Sequence, residues 1–245
     1  HHLIDVANPD EPFSLPLSPS KALEAIEVIR QREKTPFLVG GSGLYVWALL
    51  EGWRIPPVPP DSALRQKLEA RARAEGGDKL YNELKQADAA AAERIDPRNV
   101  RRVIRALEVS RQGTPFSELQ GKKPFVDSVV IGLTTDRAEL YLRIDARVDN
   151  MVKKGLVAEV ESLVARGYGF DLPSMSGLGY KQIGMYLQDK IDLPTAIQRI
   201  KFDTHGFARH QYNWFRLKDK RINWFELGEG SNQNIHRFVQ RFVVN

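Results

Sequence analysis

Pro36-Phe37-Leu38-Val39-Gly40-Gly41-Ser42-Gly43-Leu44-Tyr45-Val46-Trp47-Ala48-Leu49-Leu50 is the stretch on which the reading of this 245-residue chain turns. Its first four residues form a short apolar run after a Lys34-Thr35-Pro36 turn and read as a buried β-strand. Leu44 to Leu50 is an apolar run of helical length that ends at Glu51-Gly52, a suitable C-cap. A strand that turns through glycines into a helix presents backbone N–H groups and allows close approach to the main chain. The turn lacks the Lys and following Ser/Thr of a Walker loop, so it is not expected to be the primary phosphate cradle. Ser42 adds one hydroxyl, suited to a nucleotide or base. Such turns also serve as plain connections in α/β proteins, so the stretch decides the local fold before it decides any chemistry.

Outward from this point the composition is that of a water-soluble chain, with 42% hydrophobic and 27% charged residues. There is no apolar run of about 18 residues and no signal-peptide pattern, so no membrane span is expected. The absence of cysteine excludes disulfides and thiolate metal sites and fits a cytoplasmic protein. The five histidines are scattered, without the spacing of a metal site, and no metal-binding residue is expected. Net charge is only +5, but Gln198 to Arg221 carries seven Lys/Arg against two Asp. That segment is either a phosphate-backbone contact surface or a solvated helix face.

Ala22 to Arg32 reads as an amphipathic helix. Ile55-Pro56-Pro57-Val58-Pro59-Pro60 cannot be helix interior and marks a stiff boundary. Beyond it, Asp61 to Arg73, Lys79 to Lys85, Ala89 to Ile95 and Val100 to Gln112 have helical spacing, closed by the turn-rich Gly113 to Phe125. Val129 to Leu133 and Ile222 to Leu227 read as strands; Tyr141 to Arg166, Gly179 to Lys190, Thr195 to Lys218 and Ile235 to Val243 read as helices. Strands alternating with helices imply an α/β core with a parallel sheet. The expected division is residues 1–58 and 120–245 for that core, with 59–119 as an all-helical insertion domain.

Four further segments carry cations, the last two of them together with aromatics. Arg101 and Arg105 fall on one face of a helix expected to start at Asp96-Pro97, with Arg102 beside them and Val103, Ile104 and Leu107 available for burial. Arg143 and Arg147, four residues apart, repel unless an anion lies between them or Asp145 and Asp149 neutralise them locally. Ser176-Gly177-Leu178-Gly179-Tyr180-Lys181 places an aromatic ring and a cation next to glycines before a helix, which suits a nucleotide or a tight loop with a core tyrosine. Arg209-His210-Gln211-Tyr212-Asn213-Trp214-Phe215-Arg216 interleaves both kinds over two helical turns, with Trp214 or Phe215 expected in the core.

In their order along the chain, these segments and His1-His2-Leu3-Ile4-Asp5-Val6 resemble the tRNA dimethylallyltransferases. Members of that family attach an isopentenyl group to N6 of an adenosine beside the anticodon. The resemblance implies a P-loop-kinase-like parallel sheet core with helices on both faces, and binding of the tRNA anticodon stem-loop. It places tRNA contacts at Ser42, at Arg65, at Arg101, Arg102, Val103, Ile104 and Arg105, at Ser176 to Lys181, and at Arg209 to Arg216. It implies Arg143 and Arg147 as ligands of dimethylallyl diphosphate, with Arg147 as the catalytic residue that steadies the diphosphate leaving group. A fixed guanidinium is suited to charge that builds on the leaving oxygens. A monomer is expected.

The family's reaction also uses a Walker-type loop, with its nucleotide (ATP-type) chemistry and Mg²⁺, and an aspartate that takes the adenine amino proton. No G-x-x-x-x-G-K-[ST] pattern occurs here; Gly121-Lys122-Lys123 lacks both the glycine spacing and the hydroxyl residue. Both parts precede the His1 segment in the family, so Mg²⁺ is expected mainly through residues outside this sequence. The chain as given is expected to begin inside the catalytic core and to be inactive alone, with an exposed sheet edge and apolar surface. Two other readings stand beside this one: a non-catalytic RNA-binding remnant of the family, and a nucleotide-kinase relative. The kinase reading leaves the helical insertion and the Arg209–Arg216 segment unexplained.

Overall fold

The computed structural model describes residues 1–11, 13, 17–54, 56, 58–119, 121–124 and 126–243. Its contacts divide the chain into two units, one of His1–Ser14, Lys21–Val46 and Ser128–Asn245, the other of Leu15–Ser20 and Trp47–Asp127. Helices α1 (Leu17–Gln31) and α2 (Gly43–Leu50) each contribute residues to both.

The second unit is built from α3 (Ser62–Glu75), α4 (Gly77–Ala87), α5 (Ala89–Arg94) and α6 (Val100–Ser110). Each begins where the local sequence can stop a preceding turn. The Asp61 carboxylate accepts the Leu64 N–H at 2.9 Å at the start of α3. Asn99, rather than Asp96-Pro97, caps α6 by accepting the Arg102 N–H at 3.2 Å. Leu80 and Leu84 of α4, Ala91 and Ala92 of α5, and Val103, Ile104 and Leu107 of α6 share one apolar core with Leu68 and Phe116. Buried Asp88 ties this core to the turn-rich stretch behind it, accepting the Ala91 N–H at 2.9 Å and the Ser117 N–H and hydroxyl at 2.7 Å each. Burial would push its carboxyl up; those hydrogen bonds outweigh it and hold it below its ordinary range. Short strands β1 (Trp53–Arg54) and β2 (Gly121–Lys122) pair antiparallel. The sequence carried no strand signal at either place. Ile55 and Pro57 of the proline-rich boundary lie outside the described residues, as do Gln120 and Phe125.

In the first unit, β3 (Val130–Thr134) and β4 (Ile222–Glu226) form a parallel pair in register from Val130 opposite Ile222 to Thr134 opposite Glu226. The crossover between them holds α7 (Arg137–Lys153), α8 (Leu156–Ala165), a 3₁₀ turn (Pro173–Ser176), α9 (Tyr180–Leu187) and α10 (Leu193–Trp214). Val148, Leu156, Val160, Leu163, Met175, Ile183, Ala196 and Ile200 form its core. Helix α11 (Ser231–Val243) packs on β4, the Phe225 and Phe238 rings meeting edge to face at 5.5 Å. The chain is therefore α/β with a parallel pairing, and helices dominate it.

Three local expectations are corrected. Phe37 to Val39 is not a strand: the segment is extended but unassigned, and Phe37, Leu38 and Val39 are 69%, 50% and 91% exposed. An apolar run states a need for burial, but a strand also needs a neighbouring ladder, and none of the described residues supplies one. The helix expected from Tyr141 to Arg166 is two, because Gly155 takes φ 103°, outside the helical range, and turns the chain between α7 and α8. Helix α10 stops at Trp214 rather than Lys218, where Phe215 leaves helical geometry.

Candidate functional site

Helix α10 organises the first unit's polar surface. The Asp192 carboxylate accepts the Thr195 N–H at 2.8 Å to start it, and Ala196 and Ile200 bury its first half. From Lys201 onward it meets α7 through polar groups. Lys201 Nζ lies 2.7 Å from Asp149, and His205 Nε2 lies 2.9 Å from Asp145 Oδ1. The His205 ring stacks on Tyr141 with centroids 4.0 Å apart, and Arg209 Nη1 donates to the Tyr141 hydroxyl at 2.9 Å. The residues rise by four on α10 and fall by four on α7, so this is a ladder between antiparallel helix faces. Asp149, one of the two acids considered as local neutralisers of the arginine pair, thus faces Lys201, and Asp145 lies against His205 with no hydrogen bond at Oδ1 among the described residues.

The last turn of α10 reaches the glycine-rich turn. Gln211 Nε2 donates to the Gly41 carbonyl at 3.0 Å. A Cβ at Gly41 would lie 2.0 Å from Gln211 Nε2 and would have to push that amide aside, and one at Gly43 would lie 2.3 Å from Trp214 Cβ and Cγ, close to that residue's backbone. The Tyr212 hydroxyl is 3.5 Å from Thr134 Oγ1 at the C-terminal end of β3, the end at which open parallel sheets take ligands. Between the two glycines, Ser42 is exposed and its carbonyl accepts the Tyr45 and Val46 N–H groups, starting α2. Sequence placed Trp214 or Phe215 in the core; Trp214 is 41% exposed and Phe215 half-buried, because this end of α10 packs on a glycine turn rather than on apolar side chains. His210, Asn213 and Arg216 are exposed on the same turn.

The other candidates fall in separate places. Arg143 pairs with Glu139 on its own helix, whereas Arg147 is exposed and has no ion pair or hydrogen bond among the described residues. In the Ser176–Lys181 loop, Gly179 has φ 96° and donates its N–H to buried Gln182 Oε1 at 2.9 Å, while Gln182 Nε2 donates to Asp203 at 2.7 Å. The Tyr180 hydroxyl donates to Glu159, and that bond, with burial and the Glu159 charge, pushes its pKa up to about 12. The Ser176 hydroxyl donates to the Pro173 carbonyl at 2.6 Å; Gly177, Leu178 and Lys181 are exposed. No described hydrogen bond joins this loop to the Gly41–Gly43 turn.

In the second unit, Arg65 and Arg105 converge on Glu108, which is 2% exposed. Arg65 Nε and Nη2 donate at 2.9 and 2.8 Å, Arg105 Nη1 at 2.5 Å and the Asp61 N–H at 2.7 Å; Arg105 Nη2 also donates to the Val58 carbonyl at 2.8 Å. Burial would raise the Glu108 carboxyl, but the two guanidiniums and the Asp61 amide hold it below the ordinary range. Val103 and Ile104, expected at a tRNA surface, are 1% and 3% exposed and belong to the core. Their side chains cannot reach a ligand. Arg101 and Arg102 are the exposed cations of the five. Tyr141, His205 and Glu108 were missed from sequence, and Asp145 was read only as a neutraliser of Arg143 and Arg147, although matching four-residue steps in Tyr141-Asp145-Asp149 and Lys201-His205-Arg209 are a readable signal for the helix ladder.

Among the described residues no three His, Asp or Glu side chains converge as a metal site. None of the described helices is long and apolar enough to cross a membrane.

A family described as IPP transferase matches residues 1–218. A tRNA dimethylallyltransferase of Thermomicrobium roseum is 48% identical over 98% of this chain and 74% of its own length. One from Dehalococcoides mccartyi is 44% identical over 100% of this chain and 76% of its own. The solved tRNA isopentenylpyrophosphate transferase of Bacillus halodurans superposes with a TM-score of 0.67 at 37% identity, covering 99% of this chain and 78% of that one.

Proposed function

The chain belongs to the IPP transferase family, and on that premise we propose that it carries the tRNA- and donor-facing parts of a tRNA dimethylallyltransferase. The acceptor is N6 of the adenosine beside the anticodon, and the donor is dimethylallyl diphosphate. The adenine amino nitrogen bonds to the allylic carbon, the carbon–oxygen bond to diphosphate breaks, and the amino proton passes to a base. The carrying observation is the end of α10, where Gln211 and Trp214 hold the Ser42 turn and Tyr212 lies beside the C-terminal end of β3. This gives aromatic and hydroxyl groups in one place for an unstacked base, with exposed Arg216 two residues beyond Trp214 as a cation for its phosphates. Exposed Arg101 and Arg102 serve the anticodon stem, where guanidiniums displace counterions from phosphates. The Ser176–Lys181 loop offers Lys181 to the same RNA.

Arg147 acts on the donor. It is exposed and uncommitted among the described residues, whereas Arg143 is held by Glu139, so Arg147 is the member of the pair able to meet the diphosphate. Its planar fork matches phosphate oxygens as their charge grows. Mg²⁺ and an ATP-type loop are proposed to act through residues other than these. The protein is proposed to act as a cytoplasmic monomer.

The 245 residues contain no G-x-x-x-x-G-K-[ST] pattern, so they are proposed to bind tRNA without completing transfer by themselves. Labelled dimethylallyl diphosphate incubated with tRNA gives labelled tRNA with a protein of the relatives' full length and none with the 245 residues alone. Turnover by the 245 residues overturns the assignment of diphosphate handling to a Walker-type loop. Failure of both forms to bind tRNA overturns the function.

A further inference from the structure

We infer that Gln211 is a positioning residue: its amide, with the Trp214 ring beside it, clamps the Gly41–Gly43 turn so that the Ser42 hydroxyl is presented to the substrate, and Gln211 does not itself contact RNA. This rests on the proposed placing of Ser42 at the substrate. Sequence alone grouped Gln211 with Arg209 and Arg216 as an RNA ligand. In the structure its Nε2 instead donates to a main-chain carbonyl, 3.0 Å away, from a residue 170 positions earlier.

Two independent contacts make the clamp. Gln211 occupies the space a side chain at 41 would need, with Nε2 2.0 Å from an added Cβ, and Trp214 occupies the same space at 43, with Cβ and Cγ at 2.3 Å. Residues 211 and 214 lie on one face of α10, three apart, and their two glycine partners lie on either side of Ser42. The glycines are therefore a consequence of the helix that presses on them. Ser42 has its carbonyl committed to the Tyr45 and Val46 N–H groups, 3.0 and 3.1 Å away, and its side chain exposed. The turn thus sets the Cα–Cβ direction from which its hydroxyl is presented, and α10 holds the turn. The same helix carries Arg209 on Tyr141 and Tyr212 beside Thr134, so displacement of its last turn would reach Ser42 and the basic segment together.

The test combines hydrogen exchange with a double-mutant cycle. In Gln211→Ala the Tyr45 and Val46 amides exchange about fivefold faster, the equivalent of one lost neutral hydrogen bond. Gly41→Ala alone disturbs the same amides, and adding Gln211→Ala relieves it, because the new methyl enters the vacated space. Gln211→Met, which keeps the length without the donor, repeats the exchange result if alanine loosens α10. Binding to a tRNA transcript is then measured for Ser42→Ala, Gln211→Ala and the double variant. The double variant binds no more weakly than Ser42→Ala, a coupling that a general loss of stability would not produce. Additive losses make Gln211 an RNA contact and overturn the inference, as do unchanged exchange rates or a double variant at 41 and 211 no better than Gly41→Ala. If the unaltered chain binds no tRNA, the proposed function fails, while exchange still decides whether the clamp exists.

Discussion

Glu108→Ala is expected to destabilise the helical unit by about 3 kcal/mol, near the lower end of the range for breaking a buried ion pair. The carboxylate is 2% exposed and receives four hydrogen bonds, from Arg65 Nε and Nη2, Arg105 Nη1 and the Asp61 amide. Bonds to a charged group contribute about 1.5–3 kcal/mol each, so simple addition would exceed 6 kcal/mol. That sum overstates the loss, because the Arg65 and Arg105 side chains are 37% and 25% exposed and regain water once released. Hydrogen exchange of the buried α6 amides reads the result directly, and a loss of about 3 kcal/mol corresponds to roughly 100-fold faster exchange. Glu108→Gln keeps the shape and part of the acceptor capacity and should cost less than the alanine. The effect also carries a pH signature. The folded carboxyl lies below its unfolded value, so its stabilisation is fully present above that unfolded value, about pH 4.3, and is lost as pH falls through the lower folded value. The difference between the native chain and Glu108→Gln should therefore shrink in acid. A change below about 0.5 kcal/mol at neutral pH, the size of an ordinary surface substitution, would refute this account of Glu108.

Replacing Arg101 and Arg102 by alanine should lower tRNA affinity and flatten the log-affinity against log-salt slope by about one unit per lost phosphate contact; an unchanged slope returns them to a solvated helix face. Arg147→Ala, in a protein of the relatives' full length, should cut kcat by about 10²-fold with tRNA binding nearly unchanged, and lysine should restore only part. Near-normal kcat with weakened tRNA binding would move Arg147 to the RNA surface. The Tyr180 phenol, held up to about 12 by Glu159, should titrate lower in Glu159→Gln, as followed by NMR of the ring; an unmoved titration means that the bond to Glu159 is not the cause.

Sequence by itself determined the order and kind of the elements. Helical spacing located α3 to α6 within a few residues, since the apolar steps Leu80-Leu84 and Val103-Leu107 each state which face must leave water. Alternation of strand and helix signals likewise implied a parallel pairing, seen between β3 and β4. The ordered motifs pointed to the family, because motif order along the chain does not depend on knowing any contact. Side-chain commitments were decided only by tertiary structure. Arg65 carried no sign of its partner Glu108, 43 positions away, which the fold brings to it. Gln211 carried no sign in sequence of the Gly41 carbonyl that tertiary structure brings to its amide. Phe37 to Val39 had the composition of a strand and remained exposed and unassigned. The physical reason is common to all three. Hydrophobic period and helix caps act over a few residues and are written locally, whereas ion pairs, hydrogen-bond donors and strand ladders are completed by partners whose distance along the chain carries no signal in the residue itself.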